Sequence, residues 1–525
     1  MPSPRLLFRR AQTPLAALSL LVGGAYVADH VHAHVVSRSL RLVATGGRVV
    51  RDYRLHVRGT ARDDPSYRSK LQRLNERTAQ RLLHLCYENG GMYTKWGQQV
   101  ATLTHGLPVA YTETLAQLQD RAKPVSFQKV VQAIEAELGQ PWRHVFQELD
   151  ETPLACASLA QVHRAVDHLG REVAVKVQYR HLESQMQADI QVIKWAFQLT
   201  EYFFPDVRIQ WLVPEFESAI LSELDFENEK KNSRRVADCL KHNDSVHVPI
   251  VYDELSTKKI LSMEFIDAPK ISQVDAIKEL GLDPPNVAHL LCEVFSEMAF
   301  RHGFVHCDPH AGNVFVRRNP DPQAKRKEQL VLLDHGLYRE LDCDFRKAYC
   351  DLWRAMLLRD NVLLDDCGKR LNLGELTKYL PLLFTHRTID RKGRPDAAMS
   401  QYERKKLSND LKNMHVSSFT DFFEQLPRDM LFVLRTDNMV RALNKDLGGT
   451  TRERFHVMGS YAVSEHSAFY SASAKAGNGG LRTSMSYWWN HVNLVLRFHV
   501  VDYTLAAMQY VRGEPNAKTQ RVVAP

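Results

Sequence analysis

The chain has 525 residues, too many for one ordinary domain, and its 44% hydrophobic and 25% charged content are those of a globular protein. A net charge of +8 over this length is too dilute for a nucleic-acid binder, and no basic strand interleaved with aromatics points to RNA or DNA. The eight cysteines include no C-x-x-C pair, which argues against structural zinc and for free thiols in a reducing compartment rather than a disulfide framework.

The first 62 residues stand apart, with ten Arg, no Lys and only two acids, Asp29 and Asp52. Arg5, Arg9 and Arg10 precede an apolar run from Leu15 to Ala28. This composition predicts an organelle-targeting segment, most simply mitochondrial, with plastid as the alternative. A secretory signal fits the cysteine pattern less well, and a plain basic tail is the bland reading. The run is about 14 residues long, short of the roughly 20 that span a bilayer, so an anchor requires snorkelling flanks.

Residues 63–150 read as helical. Leu71, Leu74, Leu82 and Leu85 recur at helical spacing, with Asn89-Gly90-Gly91 as a stop. Met92 to Gln99, with Lys95 and paired Gln98 and Gln99, reads on its own as a solvated helix face. Val130, Ile134, Leu138 and Val145 predict a further amphipathic helix. At Asp150 the texture turns to strand. Pro153 to Ala165 predicts strand, small-residue turn and strand. Ala155, Cys156, Ala157 and Ser158 are small enough for backbone N–H groups to approach a phosphate. Glu172 to Gln178 reads as a strand with Lys176 in its apolar part. It is either an edge lysine facing water or a buried cation that needs an anion.

A helical segment with Ile190, Ile193, Trp195 and Leu199 leads to Glu223, Asp225, Glu227 and Glu229. If that acidic stretch is helical, Asp225 and Glu229 share a face. Four such acids are normally a polar surface, but they are also the obvious counter-charges for Lys95 and Lys176. Lys259 to Asp267 predicts a buried strand with a polar edge at Glu264. Asp283 to Arg301 predicts a strong amphipathic helix. Beyond Tyr338 the pattern is helical to the end, with Phe345–Leu358 and Met430–Leu443 amphipathic. Ser471–Gly480 reads as a loop, and Trp488–Val511 as an apolar stretch that docks on the body or on a membrane.

The most informative stretch is His306-Cys307-Asp308-Pro309-His310-Ala311-Gly312-Asn313, then Leu330-Val331-Leu332-Leu333-Asp334-His335-Gly336. Asp308 and Asn313 are five apart, the interval at which a phosphoryl-transfer loop places a base and a metal ligand. Asp334 follows an apolar strand-like run and precedes Gly336, as a second metal ligand would. Carboxylate and carboxamide oxygens converging on Mg²⁺ and a triphosphate is the chemistry suggested.

Together these motifs resemble the UbiB family of atypical kinases, also called aarF-domain-containing kinases, in the family's order from about Asn89 to Leu358. The Lys-x-Gly-Gln motif is Lys95 to Gln98, and the Ala-rich loop is Ala155 to Ser158, with Cys156 where Ala is usual. Glu-x-Asp is Glu223 to Asp225. The catalytic loop is His306 to Asn313, with Ala311 where Pro is usual. Asp334 stands in Asp-His-Gly, and the arginine-rich leader is most similar to the mitochondrial branch.

The resemblance implies an α+β, protein-kinase-like two-lobed fold with an N-terminal helical extension and an extended helical C-terminal lobe. The domains expected are 1–62 targeting segment, 63–150 helical extension, 151–270 N-lobe, 271–375 C-lobe core and 376–525 helical C-terminal region. It implies ATP or ADP and Mg²⁺ as cofactors. Ala155 to Ser158, Lys176 and hinge residue Glu264 would hold the nucleotide, and Glu229 would pair with Lys176. Asn313 and Asp334 would bind metal, and Asp308 would orient or deprotonate the acceptor. Lys95 and Gln98, from the helical extension, would reach the active site as catalytic residues and pair with Glu223 or Asp225.

Two departures are read directly: Cys307 replaces the arginine of ordinary kinase loops, and no Ala-Pro-Glu follows Asp334. The expected activity is therefore an atypical kinase or ATPase acting on a lipid, a quinone-type molecule or water, at a membrane surface, rather than a protein kinase. The alternative is a nucleotide-binding pseudokinase scaffold for mitochondrial membrane organisation.

Overall fold

The computed structural model describes residues 35–56, 64–102, 108–118, 124–157, 159–180, 182–203, 212–358, 360–385 and 426–476, with single positions 210, 492 and 496. The expected apolar run 15–28, Ser158, 477–480 and nearly all of 488–511 lie outside these residues. The chain divides into two compact units, Met1–Phe226 with Tyr252–Glu264, and Glu227–Val251 with Phe265–Pro525.

The first unit begins with helices α1 (Val35–His56), α2 (Pro65–Asn89), α3 (Gly91–Thr102), α4 (Val109–Ala116) and α5 (Phe127–Leu138). α1 falls within the stretch expected to be a targeting segment, yet its polar side chains tie it to the body. Buried Arg38 pairs with buried Asp189 at 2.5 Å, and Asp52 pairs with Arg81 at 2.8 Å. α2 starts where the Asp64 carboxylate accepts from Ser66 N at 2.7 Å, with Pro65 in the first turn. It stops at Gly90, whose φ of 61° suits glycine.

α3 is not the solvated face expected from its composition. Met92, Tyr93, Lys95, Trp96 and Gln99 are buried, because α2 and α4 pack against it and Trp96 meets Phe197 and Phe216 at 5.0 and 4.8 Å. A Cβ on Gly97 would lie 2.2 Å from Leu118 Cδ1, so glycine permits this close approach. α5 ends at left-handed Gly139, so Val145 falls beyond the helix. It packs instead against a cluster that includes Val130, Ile134, Trp142 and Phe146.

The sheet of this unit runs β1 (Phe146–Leu149), β3 (Ala160–Asp167), β4 (Glu172–Gln178), β6 (Ile260–Glu264), with β2 (Ala155–Cys156) on β3, all antiparallel. α6 (Leu182–Phe203) and α7 (Leu212–Glu223) follow β4. On α6, Ile190 and Ile193 are buried but Trp195 and Leu199 are exposed.

The second unit opens with α8 (Phe226–Leu240), which begins on the last residue of the first. Asp225 lies between α7 and α8, so it does not share a helical face with Glu229. Parallel pairing of β5 (Val246–His247) with β9 (Glu328–Leu332), and antiparallel pairing of β9 with β8 (Val314–Arg318), form one sheet. β7 (Phe304–His306) and β10 (Tyr338–Glu340) form a second, antiparallel pair.

After the short α9 (Val274–Glu279), the predicted helix 283–301 is α10 (Pro284–Ser296) continued by a π-helical turn, Glu297–His302, that left-handed Gly303 ends. α11 (Cys343–Leu358), α12 (Asn361–Arg370), α13 (Leu380–Thr385), α14 (Arg428–Asp446) and α15 (Thr451–Ala476) complete the described chain. Residues 471–476, expected in a loop, continue α15. The core packs α10 against β8, β9 and α14 through Leu290, Leu291, Val294, Val316, Leu330 and Val440. Among the described residues no helix is long and apolar enough to cross a membrane.

Candidate active site

In the second unit the His306–Asn313 stretch is a compact turn built on its own backbone. The Asp308 carbonyl accepts from His310 N at 2.8 Å and from Asn313 Nδ2 at 3.0 Å, and Asn313 N donates to His310 O at 2.9 Å. The Asp308 carbonyl therefore ties the Asn313 carboxamide to the start of the turn. Leu333 N donates to Asn313 O at 2.8 Å, which fixes the end of β9, and so Asp334, beside the loop.

His306 couples the same two segments. Its Nδ1 accepts from Asp308 N at 3.1 Å and its Nε2 lies 3.3 Å from Leu333 O. Only the neutral imidazole, protonated on Nε2, satisfies both. Burial accordingly pushes its pKa down.

Asp334 has φ 54°, rare for a residue with a Cβ. Its Oδ1 accepts from Gly336 N at 3.3 Å. His335, where Phe is usual, is buried and doubly hydrogen-bonded: Nδ1 lies 2.9 Å from Tyr338 Oη and Nε2 3.1 Å from Leu332 O, while Asn232 Nδ2 donates to its carbonyl at 3.0 Å. This histidine locks the turn after Asp334 by polar contacts. Glu229 is fully buried in the first turn of α8, where the helix dipole favours an acid.

One residue here has no precedent in the sequence reading. Arg435 of α14 donates from Nη2 to Asp308 Oδ1 at 2.8 Å. It is 127 positions away, and no local pattern announces it.

In the first unit Lys176 sits on β4, between β3 and β6, opposite Val162 and Leu261. The edge-strand alternative is thereby removed. Its Nζ lies 5.1 Å from the centre of the Phe226 ring, within cation–π range. Lys95 Nζ pairs with Glu223 Oε1 at 2.5 Å. Gln98 turns instead to Leu118 O at 2.9 Å, and Gln178 holds the Leu224 carbonyl at 3.0 Å. Glu264 ends β6, half-buried.

The strand–turn–strand expected over Pro153–Ala165 is present, but Ala155 and Cys156 belong to the strand β2, paired with Val162 and Gln161, and Ala157 N donates to Ala160 O at 2.8 Å. The Cys156 thiol is pushed up by burial, so it is not an activated nucleophile.

Metal of the expected kind fits the second unit. Asn313 spends its Nδ2 on Asp308 O, which leaves Oδ1 as a hard oxygen ligand. Asp334 supplies a carboxylate from the adjoining strand end. Among the described residues no group of three or more His, Cys, Asp or Glu could hold a metal ion. Two protein oxygens completed by phosphates is the way Mg²⁺ is bound, whereas zinc needs more protein ligands.

Residues 117–365 match the family described as the ABC1 atypical kinase-like domain. That span includes the loop, Asp334, Lys176, Glu229 and Glu264 but neither Lys95 nor Arg435. The chain is 37% identical over 410 residues to AarF domain-containing protein kinase 1 of Mus musculus, covering 78% of this chain and 77% of that one. It is 64% identical over 222 residues to Secreted RxLR effector protein 27 of Plasmopara viticola, covering 42% of this chain and 94% of that one. Among solved structures it is similar to the Rv3197–erythromycin complex from Mycobacterium tuberculosis, with a TM-score of 0.46, 21% identity, and 75% and 97% of the two chains covered.

Proposed function

Because this chain belongs to the ABC1 atypical kinase-like (aarF-domain) family, we propose that it binds Mg-ATP and transfers or hydrolyses the terminal phosphoryl group in support of mitochondrial membrane lipid or quinone homeostasis. The observation that carries this reading is the second-unit geometry. The Asp308 carbonyl accepts from the Asn313 carboxamide, and Asp334 is fixed beside that loop through the Leu333–Asn313 hydrogen bond.

In this reading Asn313 and Asp334 hold Mg²⁺, which when bound neutralises phosphate charge. Lys176, oriented by Glu229, takes the α- and β-phosphates. Ala155 to Ser158 and Glu264 belong to the nucleotide site. Asp308 orients the acceptor and receives its proton. Lys95, through its ion pair with Glu223, steadies the acidic end of α7, and Gln98 braces α3 on Leu118 O.

A small acceptor is favoured over a peptide. After Asp334 only the short β10 precedes α11, which begins at Cys343, and so short a segment leaves no platform for a polypeptide. A membrane-surface location is supported by α1, which carries five arginines and exposes Val36, Leu40 and Val43 along one side. A second reading, a nucleotide-binding pseudokinase scaffold, is favoured by one detail. The Ala157 amide, expected to meet phosphate, is already spent on Ala160 O.

Purified full-length chain with Mg-ATP separates them. The enzyme reading expects thermal stabilisation by nucleotide and turnover that Asp334→Asn abolishes. Stabilisation without turnover supports the scaffold. If nucleotide does neither, both readings fail.

A further inference from the structure

The carboxylate of Asp308 does not stand alone, and what holds it comes from outside residues 117–365, the span matched to the ABC1 atypical kinase-like domain. In an ordinary kinase loop the residue before this aspartate is an arginine. Here it is Cys307, completely buried, with a thiol that burial pushes up to about 12, hence neutral. The positive charge beside Asp308 is supplied by Arg435 Nη2, 2.8 Å from Oδ1, and both side chains are largely buried, 11% and 14% exposed.

Arg435 is delivered by a fixed element. At the start of α14, Asp429 pairs with Arg339 Nε of β10 at 2.5 Å, and beside Arg435 the Thr436 hydroxyl lies 3.5 Å from His306 O. Further along, Val440 and Leu443 are buried in the core with Leu290, Leu291 and Val294 of α10. The guanidinium therefore arrives on a helix anchored at both ends of its contact with the loop, the kind of support that holds a functional group within tenths of an ångström.

We infer that Arg435 is a positioning residue for Asp308: its guanidinium pins Oδ1 and so holds the carboxylate in one orientation toward the acceptor hydroxyl or water. An arginine suits this task because it is always protonated and donates only, so it cannot take the proton that Asp308 receives. The cation beside Asp308 is thus supplied from elsewhere in the same chain, by the C-terminal helical region. This inference rests on the phosphoryl-transfer reading above.

The test uses full-length protein and Mg-ATP turnover. Arg435→Met is expected to lower kcat on the order of 10²-fold, the usual consequence of a misplaced reacting group, while KM for Mg-ATP stays within about twofold. Arg435→Gln should do the same, Arg435→Lys should recover part of the loss, and guanidinium added to Arg435→Ala should restore turnover. Asp308→Asn with Arg435→Met should be no slower than Asp308→Asn alone, because one residue acts through the other.

Turnover of Arg435→Met within about threefold of wild type, or losses that multiply in the double variant, overturns the inference. A parallel fall in kcat, nucleotide affinity and melting temperature does so too, since it marks a merely structural residue. Should Arg435→Met fail to fold, Arg435→Gln is read in its place by the same criteria. Wild-type protein that never turns over Mg-ATP sinks the phosphoryl-transfer reading and this inference together. Active wild type with an unaffected variant sinks this inference alone.

Discussion

Asp334 is held at φ 54°, and the only other described non-glycine residue at positive φ is Asn372, at 56°. This strain has a measurable sign. At an ordinary position alanine is more stable than glycine by roughly 0.4–1 kcal/mol, because glycine gains more entropy on unfolding. In the left-handed region a residue with a Cβ costs about 1–2 kcal/mol that glycine avoids. The two effects oppose, and their difference leaves Asp334→Gly more stable than Asp334→Ala by about 0.5–1 kcal/mol. The wild-type aspartate should fall near the glycine variant, since its Oδ1 accepts from Gly336 N at 3.3 Å and short polar side chains tolerate this region.

For a unit of this size the gap corresponds to about 1–4 °C in the transition that reports the second unit. Thermal unfolding of the three full-length proteins, followed by fluorescence, measures it. Both substitutions should abolish Mg-ATP turnover, so Asp334→Gly should keep wild-type stability while losing activity, and Asp334→Ala should lose both. The same order should appear at Asn372, at the end of α12, with turnover intact. If Asp334→Ala melts above Asp334→Gly, the left-handed backbone and the argument built on it are wrong.

Lys95→Met should destabilise the first unit by about 3–5 kcal/mol, the cost of stripping one partner from a buried ion pair. Adding Glu223→Gln should return part of it, and equal melting of single and double variants would show that the 2.5 Å pair is unimportant. The thiols of Cys86, Cys292, Cys307, Cys350 and Cys367 are pushed up to about 12 by burial while Cys343 is exposed. Alkylation mapped by mass spectrometry should therefore mark Cys343 first, and early labelling of Cys307 would contradict the packing of the loop.

Burial depresses the pKa of His163, His306 and His466. The unfolded chain then binds more protons than the native one below the ordinary histidine value of about 6.5, so these groups weaken the fold as pH falls from there toward their folded pKa values. The urea midpoint should drop between pH 7.5 and 5.5, and a rise over that interval would reverse the sign.

What could be read from the sequence, and what could not, follows the range of the interactions. The His306–Asn313 turn was legible because its hydrogen bonds join residues two to five apart, so spacing alone carries the geometry. β4 was legible as an apolar run, but whether Lys176 lay on an edge depended on β6, supplied from more than 80 positions away. Taken alone, the α3 stretch looks solvated because its composition is polar; its burial is conferred by α2 and α4. At Gly97 the signal was present: a glycine inside a helix is a cost unless something approaches closely, and here Leu118 does.

Over Pro153–Ala165 the strand–turn–strand was legible, but pairing with β3 drew Ala155 and Cys156 into the first strand. Arg435 left no trace, because an arginine on an amphipathic helix looks like any solvated arginine until the fold brings it to Asp308. The two ends of that contact also differ in kind. Asp308 belongs to the span matched to the ABC1 atypical kinase-like domain, whereas Arg435 lies 70 positions beyond its last matched residue, Asp365. The orientation of the central carboxylate is thus delegated to the helical C-terminal region, so the loop can be tuned by an element far from it in the chain.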